Sequence, residues 1–347
     1  MKIECDCGNR SDPWNTFCFK CGKWIETVPS TGESVSLFCS KFANCHFNFE
    51  NTGHWHIPAP GSSGPQQMAV LFELLLILDK TRFILFDPSI SEAVCEHTLT
   101  AAKPELAGFL RPFLLIPRET GLDTFHLGRT DAAPKHHDSI GSLTTSPAIY
   151  DRKPLKRAFF GHRGGILLFD CSPDTLNSNG AAKSTLLELN LEPDELFRNP
   201  ILIDNHIIFL TSRARVVRLP AEASESQLKK TIQIEGNAWP EPDKFCAGAP
   251  VIFSNEVFFE MISYGANDSV TITLMHLEFN ASKISLETAI SFTDEGIPND
   301  VMIKTEEREK HTPIVAGSEN LLISSPNMEK IYLISHQNAE GQSPFFK

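Results

Sequence analysis

Cys5, Cys7, Cys18 and Cys21 crowd the first 21 residues, four of the nine cysteines in a chain of 347 residues. They form two close pairs, Cys5-Asp-Cys7-Gly8-Asn9 and Phe17-Cys18-Phe-Lys-Cys21-Gly22, with ten residues between the pairs. Zinc takes four thiolates in a tetrahedron, and two short turns brought together by a hairpin supply them. Gly8 and Gly22 each follow the second cysteine of a pair. That position needs positive φ and an amide free to bond a thiolate sulfur, which glycine provides without steric cost. Pro13 and Asn15 suit the turn between the pairs. The competing arrangement is two disulfides. Residues 1–20 contain no apolar leader, and Cys5 and Cys7 fall where one would have to be, so a reducing cytoplasm is expected and metal with it. One structural zinc on Cys5, Cys7, Cys18 and Cys21 is therefore expected, without catalysis, because four thiolates leave no open position.

A second group, Cys39, Cys45, His46, His54 and His56, offers two readings. Cys39, Cys45, His54 and His56 could ligate another zinc, or the segment is a linker with two buried thiols and exposed histidines. The gap between its cysteines is too long for a short knuckle, and no glycine follows either one. Farther on the chemistry thins out. Gly161-His162-Arg163-Gly164-Gly165 has the look of a phosphate loop, but such a loop opens a helix, and Ile166 to Phe169 reads as a strand. A hairpin turn is expected there. His136-His137-Asp138 reads as a solvated loop, Glu306 to Lys310 as a solvated charge run, and Cys95, Cys171 and Cys246 as buried packing thiols. No spacing in the body selects a catalytic pair.

The elements that must carry these residues are short strands. Pro58-Ala-Pro60-Gly-Ser-Ser-Gly64-Pro65 is rich in breakers and marks a boundary. Beyond it a loose unit recurs, beginning at Pro65, Pro112, Pro147, Pro200, Pro250 and Pro313, with steps of 47, 35, 53, 50 and 63 residues. Each unit opens with proline and three or four apolar residues, as in Asn199-Pro-Ile-Leu-Ile203. Proline at a strand's first residue removes no ladder donor. Second strands are expected at Ile207 to Leu210, Val257 to Ile262 and Leu321 to Ser324. Third strands are expected at Gly165 to Asp170, Val216 to Leu219, Thr273 to Phe279 and Lys330 to Ser335. Polar fourth strands are expected at Ala93 to Leu99, Leu228 to Ile234 and Leu286 to Phe292. A four-stranded blade takes about 40–50 residues, so the body predicts an all-β propeller of six blades, or seven if a degenerate unit surrounds Val301 to Lys304. The expected domains are a zinc ribbon over 1–26, a linker over 27–64 and the propeller over 65–347. The last unit lacks its own fourth strand, and Ser34 to Phe38 or Cys45 to Phe49 is expected to complete it and cover the edge.

Two resemblances add to this. The cysteine segment resembles the short zinc ribbons at the N-termini of many bacterial proteins, although those carry two spacers in the first pair where this chain has only Asp6. The body resembles quinoprotein-like (pyrroloquinoline-quinone-like) repeat propellers. In that family each blade opens with Ser/Thr-Pro and its third strand ends near Leu-x-Asp, which Arg82 to Asp87 and Gly165 to Asp170 match. The family's docking tryptophans are mostly missing, since Trp239 is the one tryptophan after residue 55, and quinone binding is not carried over.

Composition bounds the function. The net charge is −12, and residues 1–57 carry only −1 of it, five basic against six acidic residues. An acidic body repels phosphate backbones, which disfavours a nucleic-acid partner. The longest apolar run, Met68 to Leu78, is interrupted by Glu73 and too short to span a bilayer. The expected role is a non-catalytic protein-interaction scaffold in a cytosolic bacterial complex, with partners unnamed by the sequence. The alternatives are a hydrolase or lyase with its site in the propeller channel, and nucleic-acid binding through the ribbon.

Overall fold

Apolar and β-branched runs bounded by turn formers become strands throughout the computed structural model, which describes residues 3–4, 10–11, 67–71, 74–79, 81–87, 90, 92–127, 133–172, 183–236, 245–254, 256–264, 269–279, 284–294, 314–316, 320–324 and 331–335. The expected zinc ligands, the group from Cys39 to His56, both candidate closing segments and Val301 to Lys304 lie outside the described residues. Near the N-terminus, β1 (Ile3–Glu4) pairs antiparallel with β2 (Arg10–Ser11), either side of Cys5 and Cys7 in the sequence.

Among the described residues, the strands beyond residue 60 fall into six antiparallel sheets in chain order. The first holds β3 (Gln67–Leu71), β4 (Leu74–Leu78), β5 (Arg82–Asp87) and β6 (Glu92–Thr98). The second holds β7 (Gly108–Leu110), β8 (Phe113–Pro117), β9 (Leu122–His126) and β10 (Lys135–His137). The third holds β11 (Ala148–Arg152), β12 (Leu155–His162), β13 (Gly165–Asp170) and β14 (Lys183–Glu188). The fourth holds β15 (Ile201–Ile203), β16 (His206–Leu210) and β17 (Val216–Pro220). The fifth holds β18 (Phe245–Ala247), β19 (Val251–Phe253), β20 (Glu256–Tyr264), β21 (Val270–Phe279) and β22 (Ile284–Asp294). The sixth holds β23 (Ile314–Ala316), β24 (Asn320–Ser324) and β25 (Ile331–Ser335). Apart from β18 and β19, which both pair with β20, each strand follows its hairpin neighbour in order.

The chain divides into two compact units, the first running through Leu187 and the second continuing from Glu188. In the first, side-chain alternation makes the second sheet a shared layer. Leu114 and Ile116 pack against Phe83 and Leu85 of the first sheet. Leu115, one residue out of phase, packs against Phe160 and Phe169 of the third. In the second unit the fifth sheet plays the same part. Val257 and Phe259 meet Ile208 and Leu210 of the fourth sheet. Phe258 and Leu274 meet Leu321 and Ile323 of the sixth. Covering both faces is why the middle strands read as unbroken apolar runs rather than alternating ones.

Two sequence expectations about where units and strands begin need correction here. Pro112 does not open a unit. It sits in the turn between β7 and β8, and the second sheet begins at Gly108. A Cβ at Gly108 would fall 2.2 Å from Cγ of Pro147, so the bare backbone of β7 is what lets the third sheet's opening proline approach. The polar strand expected at Leu228 to Ile234 is instead α1 (Glu225–Thr231). Ser224 and Gln227 form a reciprocal capping box at its start, and Glu225 pairs with Lys229 one turn on. These local bonds outweigh the weak alternation of Leu228 to Ile234. Only Glu235 returns to the sheet, through paired backbone bonds with Val216. Among the described residues no helix is long and apolar enough to cross a membrane.

Candidate functional site

In the first unit, antiparallel register places His136 directly opposite Asp123 across β9 and β10. His136 Nδ1 lies 2.7 Å from Oδ1 of the buried Asp123. Arg118 Nε reaches the same oxygen at 2.9 Å, and the other arm of its guanidinium pairs with Asp138. His137 points to the opposite face, where its Nε2 lies 3.3 Å from Thr124 Oγ1 and the Phe169 ring meets it edge-on. Burial lowers the His137 pKa, and the Lys135 charge adds to this against Asp123 and Asp138. His136-His137-Asp138 is thus an edge strand running into a turn, not the expected solvated loop. The correction has a physical cause: Asp123 supplies a partner that the local sequence does not contain. The turn expected around Gly164 is a hairpin, with His162 opposite Gly165.

The same unit buries a lysine. Lys156 on β12 stands opposite Asp151 on β11 and is 1% exposed. Its Nζ donates to the Arg111 carbonyl at 2.6 Å and lies 3.0 Å from Asp151 Oδ1. Desolvation lowers the Lys156 pKa, and the neighbouring Asp151 charge opposes that shift. Burial pushes the Cys171 thiol up to about 12 and the Cys95 thiol up to about 11. Both are packing thiols with little thiolate at neutral pH, in keeping with the sequence expectation.

The second unit holds a cleft of about 230 Å³ between the fourth and fifth sheets. Asp204 and Asn205 both take positive φ, 44° and 61°, in the two-residue turn joining β15 to β16. That mirror-image turn aims His206 into the cleft. The Asp204 carbonyl can only accept, so His206 Nδ1 donates to it at 2.9 Å. His206 Nε2 then accepts from Arg218 Nη2 at 3.3 Å. On the other wall His276 stacks on Phe258 and its Nε2 sits 3.5 Å from Glu256 Oε2. Ile203, Ile208 and Leu277 complete the lining with Asp204 and Glu278. The lining carries both signs of charge and two imidazoles, but no hydroxyl or thiol nucleophile, so what it offers a guest is hydrogen bonding and ion pairing. Sequence reasoning missed this set because its members come from three hairpins. The one local signal was the Asp204-Asn205 dipeptide, a left-handed turn former directly before a histidine.

Glu260 stands apart. It is 0% exposed on β20, and among the described residues neither carboxyl oxygen has a hydrogen-bond partner. It faces the side of the sheet shared by Phe258 and Ile262, opposite Leu274. Desolvation pushes its pKa up to about 8.

No family model matches the chain, and no curated protein does. Among solved structures it is similar to the extracellular domain of a one component system of B. thetaiotaomicron, at 12% identity and a TM-score of 0.47, over 82% of this chain and 35% of that one. The chain thus spans about a third of that structure's length. It is also similar to BamB from Moraxella catarrhalis (9% identity, TM-score 0.42, 78% of this chain and 71% of that one). A third likeness is to Hsv2 of Kluyveromyces lactis (8% identity, TM-score 0.41, 67% and 74%). All three TM-scores lie below 0.5, and the architecture of this chain rests on its own strands and register.

Proposed function

We propose that this chain is a non-catalytic protein-interaction scaffold of the cytoplasm, built as a β-propeller of six blades behind an N-terminal zinc ribbon. The observation that carries the reading is that antiparallel sheets pack face to face in chain order within each compact unit, with apolar side chains left exposed on or beside them: Ile90 beside the first sheet, Val94 on β6, Ile252 on β19, Ile290 on β22 and Leu322 on β24. Sheets packed in this way hold their connecting loops on a stable framework, which suits recognition. The buried charges of Lys156 and Asp123 fit this reading, since they are engaged in internal pairs with Asp151 and the half-buried Arg118. Cross-linking and affinity purification of the full chain from its native host should recover a protein partner at near one-to-one stoichiometry, over an interface of at least ~1,000 Å². Recovery of the chain alone under cross-linking would overturn the reading.

The ribbon part is tested separately. Cys5, Cys7, Cys18 and Cys21 hold one zinc as thiolates in this proposal, and the ribbon, poor in apolar residues, owes its folding to the metal. Elemental analysis of purified protein should find about one zinc per chain, or about two if Cys39, Cys45, His54 and His56 bind another. Removal by chelator should release the first 26 residues to proteolysis. Disulfides by mass spectrometry with less than half an equivalent of zinc would rule the ribbon out.

A second reading, a ligand-binding or hydrolytic role, is favoured by the cleft with His206, Arg218, Glu256 and His276. Turnover or tight binding of a small molecule that His206→Ala and His276→Ala abolish, with protein partners still bound, would put this reading first.

A further inference from the structure

The fifth sheet ends in an unusual edge. β22 is 11 residues long, Ile284–Asp294, and is the outermost strand of its sheet. It contains no Lys, Arg or Pro; the devices it does carry against edge pairing are one mid-strand acid, Glu287, and a bulge. Among the described residues no strand or loop bonds to its outer side. The outer strand β6 is shorter, at seven residues, and carries Glu92 and Glu96, whereas β22 carries Glu287 and ends on Asp294.

A bulge sets which side chain the edge presents. Leu274 pairs with Ile290 while Met275 pairs with Thr288, leaving Ala289 as the extra residue. Thr288 and Ile290 would share a face in a regular strand. The bulge parts them, so that Thr288 Oγ1 meets Met275 Sδ at 3.7 Å while Ile290 moves to the face of Leu274. Leu274 belongs to the apolar cluster shared with the sixth sheet. Ile290 extends that apolar face outward and is 42% exposed. One more strand alongside β22 would bury it.

We propose that the outer edge of β22 is a docking site for an extended segment of a partner polypeptide that joins the fifth sheet as an added strand, bearing β-branched residues against Ile290 and Lys or Arg against the acids. Main-chain hydrogen bonds along the edge that is unpaired among the described residues hold the segment, and side chains at alternate positions select it. Charge selects a basic partner over a second copy of this chain. Exposed Glu287 lies on the strand, exposed Glu278 at the neighbouring end of β21, and Asp294, Glu295 and Asp300 follow in sequence, in a chain of net charge −12. Pairing with another copy would set these acids against their own kind.

This inference rests on the scaffold reading and can fail without it. The probe is a library of random ten-residue peptides displayed on phage and selected on the full chain. Enriched peptides should alternate β-branched with basic residues and lack central proline. A synthetic winner should bind one-to-one and slow amide hydrogen exchange within residues 284–294. Ile290→Lys, a change at an exposed position, should weaken binding by roughly tenfold or more, whereas Val94→Lys on β6 should leave it within about twofold. Equal binding by the Ile290→Lys protein, protection elsewhere, or enrichment of acidic peptides would overturn the proposal. Concentration-dependent dimers that Ile290→Lys abolishes would put a second copy in the groove instead. If partners recovered from the host bind the Ile290→Lys protein undiminished, the scaffold stands and the edge proposal alone falls.

Discussion

Replacing Glu260 with Gln should stabilise the second unit by about 3 kcal/mol at pH 7 and flatten the fall of its stability between pH 4.5 and 8. In the folded chain burial holds the carboxyl protonated up to about pH 8, whereas in the unfolded chain it ionises near its ordinary 4.5. The unfolded state therefore sheds the proton first as pH rises. The stability associated with the protonated group is complete below 4.5, is lost progressively up to about 8, and changes no further above it. Gln keeps the shape without the titration. His137 and His162 act in the opposite sense, since burial lowers both and stability rises with pH as the unfolded imidazoles lose their protons. Both belong to the first unit and cancel in the difference between wild type and variant. Urea denaturation at pH 5, 7 and 8.5 provides the measurement. A constant difference across that range would mean that Glu260 ionises in the folded state as it does in water.

The second large effect is expected at Asp151. Removing it as Asp151→Ala leaves the Lys156 ammonium buried beside Arg111 without its cross-strand carboxylate, at a cost of about 3–5 kcal/mol. Replacing the pair together, Lys156→Met with Asp151→Leu, removes both charges from the interior and should recover most of that loss. The two variants separate an uncompensated charge from lost packing. If both are equally destabilised in urea, packing around the pair matters and its charge does not. A loss below about 1 kcal/mol for Asp151→Ala would place the pair among ordinary exposed ion pairs.

Much of the fold was legible before any coordinates. Gly165 to Asp170, Ile207 to Leu210 and Leu321 to Ser324 are strands where apolar runs between turn formers predicted them, because a strand's preference for β-branched and aromatic side chains is local. The hairpin at Gly164 was legible for the same reason. Local bonds also explain one miss: Ser224 and Gln227 stand at capping-box spacing in the sequence, and the helix they start overrides the weak alternation of Leu228 to Ile234.

What the sequence determined by itself was most strand positions and the hairpin order, both fixed by neighbours within a few residues. Tertiary structure alone decided which charges are buried and which side chains meet. Asp123 and His136 pair only because β9 and β10 align in register. His206 and His276 line one cleft only because two sheets stack. Nothing in Val257-Phe-Phe-Glu260-Met-Ile262 says that its acid is covered, because alternation tells which face a residue takes and not whether another sheet closes over that face. The desolvation that sets the Glu260 pKa is supplied by residues distant in the chain, and it comes into being only when the sheets pack.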